Sequence, residues 1–324
     1  MAERDVRLDS VKGLLILLVV LGHIIGNCGL GVINDRIWHF IYIFHMPLFI
    51  LVSGYFTSRK SDKKAFWGSL LKIILPLIVF QILSNLLLFV FFHHKLSISF
   101  LLTPYWTLWY LLSLVFWRVI IQYSPKSLVD KPYLYLACSL VIAVFCGLMP
   151  YGRILSIQRT LSFYPFFLWG YYIRQGFIKK QMWPNYISIV LCGLFAIWIF
   201  GDFVPISFDK SKVLLRGADQ YAVVDIPLKV LYLAASFLLT VSVLNLIPKS
   251  NWLSHFGSKS LFYYLYHGLV IRFILQPLVQ YYQLPQSAPF MLVYLLIVIL
   301  IIYILEQFRP FRWLTNPLPS KTES

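Results

Sequence analysis

Asp5-Val6-Arg7-Leu8-Asp9-Ser10-Val11-Lys12-Gly13-Leu14-Leu15-Ile16-Leu17-Leu18-Val19-Val20-Leu21-Gly22-His23 decides the fold class. A charged approach passes without a break into an apolar run that ends on a histidine, and the run continues to Ile25 with no small-residue cleavage site. Such a stretch reads as a retained transmembrane helix and not as a removable leader. Lys12 and His23 are eleven residues apart, so on a helix they share a face to within about 20° and are separated by about 16 Å along the axis. One stands at the edge of the bilayer and the other inside it. An ionisable group placed inside a membrane is costly and marks a candidate functional site.

The remainder of the 324 residues agrees with that start. Hydrophobic residues make up 60% of the chain and charged ones only 12%, more apolar surface than one soluble core can hide. The aromatic content, 18% with 21 Tyr and 10 Trp, suits interfacial belts and an amphipathic cavity. A net charge of +16 would suit nucleic acid, but the basic residues are dispersed between apolar runs and form no stripe or recognition module, so that class is excluded. Cys28, Cys138, Cys146 and Cys192 lie in or beside apolar runs without metal-ligand spacing, which predicts small buried hydrophobes and no metal site.

Hydropathy and turn signals predict an all-α polytopic protein with ten spans, near 11–29, 37–56, 67–92, 104–122, 133–149, 160–175, 184–201, 226–247, 258–278 and 289–306. Residues 1–310 then form a single transmembrane domain and 311–324 a short tail. An even number of spans puts both termini on one side. That side carries eighteen lysines and arginines, the other eight, with Lys72 and Arg272 inside spans. Positive charge stays in the cytoplasm, so both termini are predicted to be cytoplasmic. Lys12 then marks the inner edge and His23 the outer half. The outer loop from Gly201 to Asp225 mixes Asp202, Asp209 and Asp219 with Lys210, Lys212 and Arg216; it reads as a solvated loop, or as an acceptor contact. No internal repeat is visible.

Several residues suit chemistry and also suit packing. A neutral imidazole at His23 can take a proton from a hydroxyl near neutral pH, or simply bond a neighbouring helix. Lys12 is a snorkelling cation, or with Arg59 and Lys60 part of a site for an anionic donor. Asp9, one turn earlier, can pair with it. In the second span, Phe44-His45-Met46-Pro47-Leu48-Phe49 and Ser53-Gly54-Tyr55 make an irregular helix, since proline leaves a carbonyl without its donor and such backbone needs protein or a wet cavity beside it. His45 can face that cavity; His39 reads as interfacial, and His93 and His94 as solvated. Pro104 to Leu114 is aromatic-rich and includes Trp109, either belt or sugar wall. Arg153 and Arg159 precede Phe163-Tyr164-Pro165-Phe166-Phe167-Leu168-Trp169-Gly170-Tyr171 and can bind an acidic glycan or lipid phosphate at the outer mouth. His267 lies near mid-membrane with Arg272 one turn and a residue beyond, a costly cation unless solvated or paired.

Taken together, the ordered motifs resemble the acyltransferase 3 family of bacterial integral-membrane O-acyltransferases, in particular the fucose 4-O-acetylase-like branch. The resemblance spans most of the chain. It rests on Leu8 to Gly13 with Val19 to His23, on Phe44 to Phe49 with Ser53-Gly54-Tyr55, on Leu108-Trp109-Tyr110-Leu111, on Tyr164 to Gly170 and on Gly257 to His267. The family pattern is an arginine, ten residues and a histidine. It implies that His23 is the catalytic base and that Lys12 stands at the arginine position, keeping the charge without the bidentate fork; lysine there is usual for the fucose-acetylase-like branch. The resemblance further implies transfer of an acetyl group from cytoplasmic acetyl-CoA, with no permanently bound cofactor, to a hydroxyl of a cell-envelope or exported glycan or lipid-linked saccharide, in the inner membrane of a bacterium. Lys12, Arg59 and Lys60 would bind the donor. Asp9, His45, Trp109, Arg153, Arg159, His267 and Arg272 are candidates for acceptor contact or support. Two rivals use the same buried polar groups: a proton-coupled transporter or flippase for a lipid-linked saccharide, and a noncatalytic scaffold. The acceptor sugar and the oligomeric state are not legible.

Overall fold

The computed structural model describes residues 5–93, 103–149, 154–179, 182–201 and 222–317. Among these residues every regular element is helical. Helix α1 (Val6–Cys28) starts where the Asp5 carboxylate caps the free amides of Arg7 and Leu8, and stops at extended Gly29. Helix α2 (Val32–Tyr55) carries Pro47, and α3 (Lys63–Phe92) starts on Asp62, carries Pro76 and ends on His93 in the left-handed region, φ 52°. Then follow α4 (Trp109–Tyr123), α5 (Pro132–Phe145), α6 (Ile157–Arg174, with Pro165), α7 (Asn185–Phe200) and α8 (Ile226–Leu246). The short α9 (Asn251–Ser258) precedes α10 (Ser260–Val270), which widens into a π turn over Ile271–Leu275 and continues as α11 (Gln276–Tyr281). Helices α12 (Ala288–Gln307) and α13 (Arg309–Thr315) are the last of the described elements.

Each of the ten apolar stretches expected from sequence coincides with a helix or, for 258–278, with α10 and its continuation. Among the described residues, five helices are long and apolar enough to cross a membrane: α1, α2, α3, Val223–Leu246 and α12. Three shorter apolar helices stand beside them: α4, Pro132–Leu148 and α7. Burial sorts the long ones into two roles. The most apolar windows of α1 and α2 are 72% and 78% buried, those of α3 and α12 only 22%. Helices α1 and α2 are therefore the core of the bundle. The outer pair turns Ile78, Ile82, Leu86, Leu292, Leu296 and Leu300 outward, a surface suited to lipid and costly in water.

Two close crossings fix the core. A Cβ on Gly13 would lie 1.8 Å from the Leu253 carbonyl oxygen, and one on Gly257 would lie 1.8 Å from that of Asp9. Likewise a Cβ on Gly54 would lie 2.0 Å from the Phe167 carbonyl oxygen, and one on Gly170 1.8 Å from that of Leu51. Backbone meets backbone at both points, so helix pairs α1–α9 and α2–α6 touch where only hydrogen fits. A polar latch adds to the first: Ser10 Oγ donates to Ser250 O at 2.9 Å and accepts from Ser250 N at 2.9 Å. Tyr266 Oη donates to Phe311 O at 2.9 Å, which ties α13 to α10.

Candidate active site

The helix periodicity that builds the core also opens a cavity in it. His23, Gly26 and Asn27 on α1 and Tyr42, His45 and Met46 on α2 are each spaced three and four residues apart, and Arg159 and Phe163 on α6 four apart; each set shares a helix face. These faces, with Trp106 and Trp109 from the start of α4, enclose about 300 Å³. Small residues let the faces approach. A Cβ on Gly22 would lie 3.0 Å from the Tyr42 ring, and one on Gly26 would lie 3.3 Å from the Trp38 indole nitrogen. Trp38 and Tyr42, stacked with ring centres 3.7 Å apart, pack against these glycines of α1, and the Tyr42 hydroxyl lies beside the histidine.

His23 is half-buried in this cavity, with three rings around it. Trp106 stands edge-on at 4.8 Å between ring centres, His267 lies at 5.2 Å, and Tyr42 Oη is 3.5 Å from Nδ1. Trp106 holds a positive φ of 25°, backbone strain at a ring that touches the candidate base. The carbonyl of His23 accepts from Asn27 Nδ2 at 2.6 Å. His45, 1% exposed, donates from Nδ1 to Ile41 O at 2.8 Å, which leaves Nε2 as the acceptor nitrogen. Arg159 packs its guanidinium over Trp109 at 5.2 Å, and Trp109 stacks on Phe163 at 5.6 Å. One cation, two imidazoles, an amide, a phenol and flat aromatic surface therefore meet in one space. Though His23, His45 and His267 are near neighbours, among the described residues no set of three His, Cys, Asp or Glu side chains is placed to hold a metal.

The other expected residues fall elsewhere. Lys12 is at the far end of α1, 2.7 Å from Asp9 Oδ1 and 5.1 Å over the Phe56 ring. Asp9 thus pairs with Lys12 and is no part of the cavity. Arg59 and Lys60 follow Phe56 at that same end, where Gln122 holds them: Lys60 N donates to Gln122 Oε1 at 2.9 Å, Gln122 Nε2 to Lys60 O at 2.8 Å, and Arg59 Nη2 to Gln122 O at 3.2 Å. Arg59 also borders a second cavity of about 280 Å³ with Lys126, Asp130, Tyr171 and Gln175. Arg272 donates to Gln276 Oε1 at 2.7 Å and lies over Phe92, and it does not line the histidine cavity. Arg153, His94 and most of the 201–225 loop lie outside the described residues. His39 is buried, with Nδ1 donating to Asp35 O at 2.8 Å.

Reading the sequence alone passes over Asn27 and Tyr42, although the signal is present: Asn27 is four residues after His23 and Tyr42 three before His45. Lys229 is one of the eight basic residues that the sequence places on the outer side. The structure buries that lysine, 3% exposed, with Nζ donating to Ser162 Oγ at 2.9 Å.

Residues 5–307 match the acyltransferase domain family, acyltransferase 3. The chain belongs to that family. It is also similar to the nodulation protein NolL of Sinorhizobium fredii, 33% identical over 197 residues that make up 55% of this chain and 51% of that protein. A second similar protein is the NolL of Mesorhizobium japonicum, 27% identical over 242 residues, 68% of this chain and 62% of that one. The chain thus covers between half and two thirds of the curated relatives it matches. No solved structure matches it.

Proposed function

We propose that this acyltransferase 3 family member is an O-acetyltransferase that moves an acetyl group from cytoplasmic acetyl-CoA to a hydroxyl of a cell-envelope or exported glycan, with His23 as general base. The observation that carries the reading is the convergence of His23, Asn27, Tyr42, His45, Trp109 and Arg159 on one cavity of sugar size inside an apolar bundle. The acceptor hydroxyl gives its proton to His23 as its oxygen attacks the thioester carbonyl. The carbon–sulfur bond then breaks, and the imidazolium returns the proton to the departing thiolate. Trp109 offers a ring face to a sugar, and Arg159, beside it, offers positive charge to an acceptor phosphate or carboxylate or to the oxyanion formed on the thioester carbon.

The donor would arrive from the opposite end. Lys12, Arg59 and Lys60 gather there, and their charge suits the phosphates of a nucleotide-bearing thioester. The ten-span arrangement with both termini cytoplasmic, in a bacterial inner membrane, belongs to the same proposal; it rests on the eighteen-to-eight distribution of basic residues.

The decisive experiment supplies radiolabelled acetyl-CoA to the purified full-length chain in lipid, with envelope glycan from cells lacking the chain as acceptor. Label is expected in the glycan with the natural protein and is expected to vanish with His23→Ala at equal protein amount. Saccharide movement under a proton gradient without acetyl transfer would establish the transporter reading in its place.

A further inference from the structure

We propose that His267 is a positioning residue for His23, accepting a ring N–H of His23 on its own Nε2 and so directing the other His23 nitrogen, with its lone pair, at the acceptor hydroxyl. The inference rests on the reading of His23 as the base. His267 is fully buried, and its Nδ1 lies 2.6 Å from Tyr264 O and 3.2 Å from Tyr263 O. Carbonyl oxygens only accept, so the ring proton of neutral His267 is on Nδ1 and the lone pair is on Nε2. That nitrogen is buried and has no hydrogen-bond partner. His39 and His45 are tied to carbonyls through Nδ1 in the same way, but neither leaves Nε2 among the buried unpartnered atoms.

The nearest titratable ring is His23, with centres 5.2 Å apart. Each ring nitrogen lies about 1.1 Å from its ring centre, so this separation accommodates an N–H···N contact of about 3 Å once the two nitrogens turn toward each other. The frame around the pair is locked. A Cβ on Gly268 would lie 3.0 Å from Thr107 Oγ1, and Tyr264 Oη donates to Thr107 O, so α10 is pinned against the segment that carries Trp106. Trp106 in turn stands edge-on to His23. Packing alone does not call for an imidazole here. An asparagine could make the Nδ1-type bond to the backbone, whereas the extra nitrogen adds a buried acceptor whose desolvation no hydrogen bond among the described residues repays.

In the reaction, the acceptor proton moves to the other ring nitrogen of His23 as the new oxygen–carbon bond forms, and returns to sulfur as the carbon–sulfur bond breaks. His267 keeps its Nδ1 proton throughout and undergoes no net change. Its part is to hold the tautomer and to share the charge that appears on His23, the part a carboxylate or amide plays beside other catalytic histidines.

Two substitutions separate this role from packing. His267→Asn keeps a donor near the Nδ1 position and loses the acceptor at Nε2; His267→Gln places an amide oxygen near Nε2. With the purified full-length chain in lipid, acetyl-CoA and envelope glycan from cells lacking the chain, His267→Asn is expected to lower kcat about 100-fold with the KM for acetyl-CoA within about twofold of natural. His267→Gln is expected to recover at least about tenfold of that loss. Equal kcat for His267→Asn and the natural protein would overturn the proposal, as would His267→Gln falling as low as His267→Asn. A double variant gives a reading independent of residual folding defects: with His23→Ala already present, adding His267→Asn should leave the remaining rate unchanged, and a further drop would show an independent role. Failure of the base reading is distinct, because His23→Ala would then transfer acetyl as well as the natural protein does whatever occupies position 267.

Discussion

At the scale of single residues, the proposed reaction assigns two kinds of work to the cavity, proton transfer at the imidazoles and sugar contact at the aromatic wall. His23→Ala removes the imidazole that neighbours both Tyr42 and His267, and acetyl transfer should fall by about 10²–10⁴-fold while the protein accumulates normally in the membrane. Trp109→Ala leaves the histidine in place but takes away the ring between Arg159 and Phe163. Its effect should appear chiefly as a raised KM for the glycan, about tenfold, in initial-rate measurements at saturating acetyl-CoA. At the other end, Lys12 keeps its pair with Asp9 when replaced by arginine and loses it when replaced by alanine. Lys12→Arg should therefore retain more acetylation than Lys12→Ala, and equal activities would remove charge from the account of this position. His23, Lys12, His45, Trp109 and Arg159 were all legible as candidates, because charge and imidazole stand out against an apolar background. Asn27 and Tyr42 were not, since asparagine at a helix end and tyrosine in a membrane helix have commoner uses. Only the meeting of three helix faces distinguishes them.

Elements carry a different kind of information. The ten apolar stretches are readable because helices in an apolar setting must satisfy their own backbone, and long uninterrupted runs leave little choice. What hydropathy does not reveal is which helix is central. Helices α1 and α3 are similarly apolar, yet one is the core and the other faces outward. The difference lies in small residues. Gly13, Gly22 and Gly26 give α1 a groove that accepts α9 and the rings of α2, whereas the glycine of α3, Gly68, has open space around it. The motif glycines Gly54, Gly170 and Gly257 look in sequence like parts of an active-site signature, but their place in the structure is at the crossings that hold the cavity walls. Replacement of Gly257 by alanine must push α9 away from α1, and the cost should be about 1–3 kcal/mol or more, since backbone rather than a flexible side chain stands in the way. A lowered unfolding temperature in detergent, with Gly68→Ala as the silent comparison, checks this. The crossing lies near Lys12 and far from His23, so any activity that survives in Gly257→Ala should retain the natural dependence on glycan concentration.

For the molecule as a whole, the two ends of α1 have to face different compartments if a soluble donor and an exported acceptor are to meet. The fold places the relevant groups at opposite ends of the helix, with Lys12 beside Phe56 and the Arg59–Lys60 loop, and His23 in the cavity about 16 Å away along the axis. Orientation is not a property of the helices themselves. It follows from where lysine and arginine accumulate, and that bias is read from the loops. A cysteine-accessibility map tests it after Cys28, Cys138, Cys146 and Cys192 have been replaced. Ser61→Cys, exposed beside the α2–α3 loop cations, should react with an impermeant thiol reagent only when the membrane is opened from the cytoplasmic side. Leu30→Cys, 67% exposed between α1 and α2, should react in intact cells. The reverse pattern would put the cationic end outside, away from any cytoplasmic thioester, and the donor route along α1 would have to be abandoned even if His23 proved essential. The expected pattern would put Lys12 on the side from which a cytoplasmic thioester arrives and the histidine toward the other side, as the proposed donor route along α1 requires.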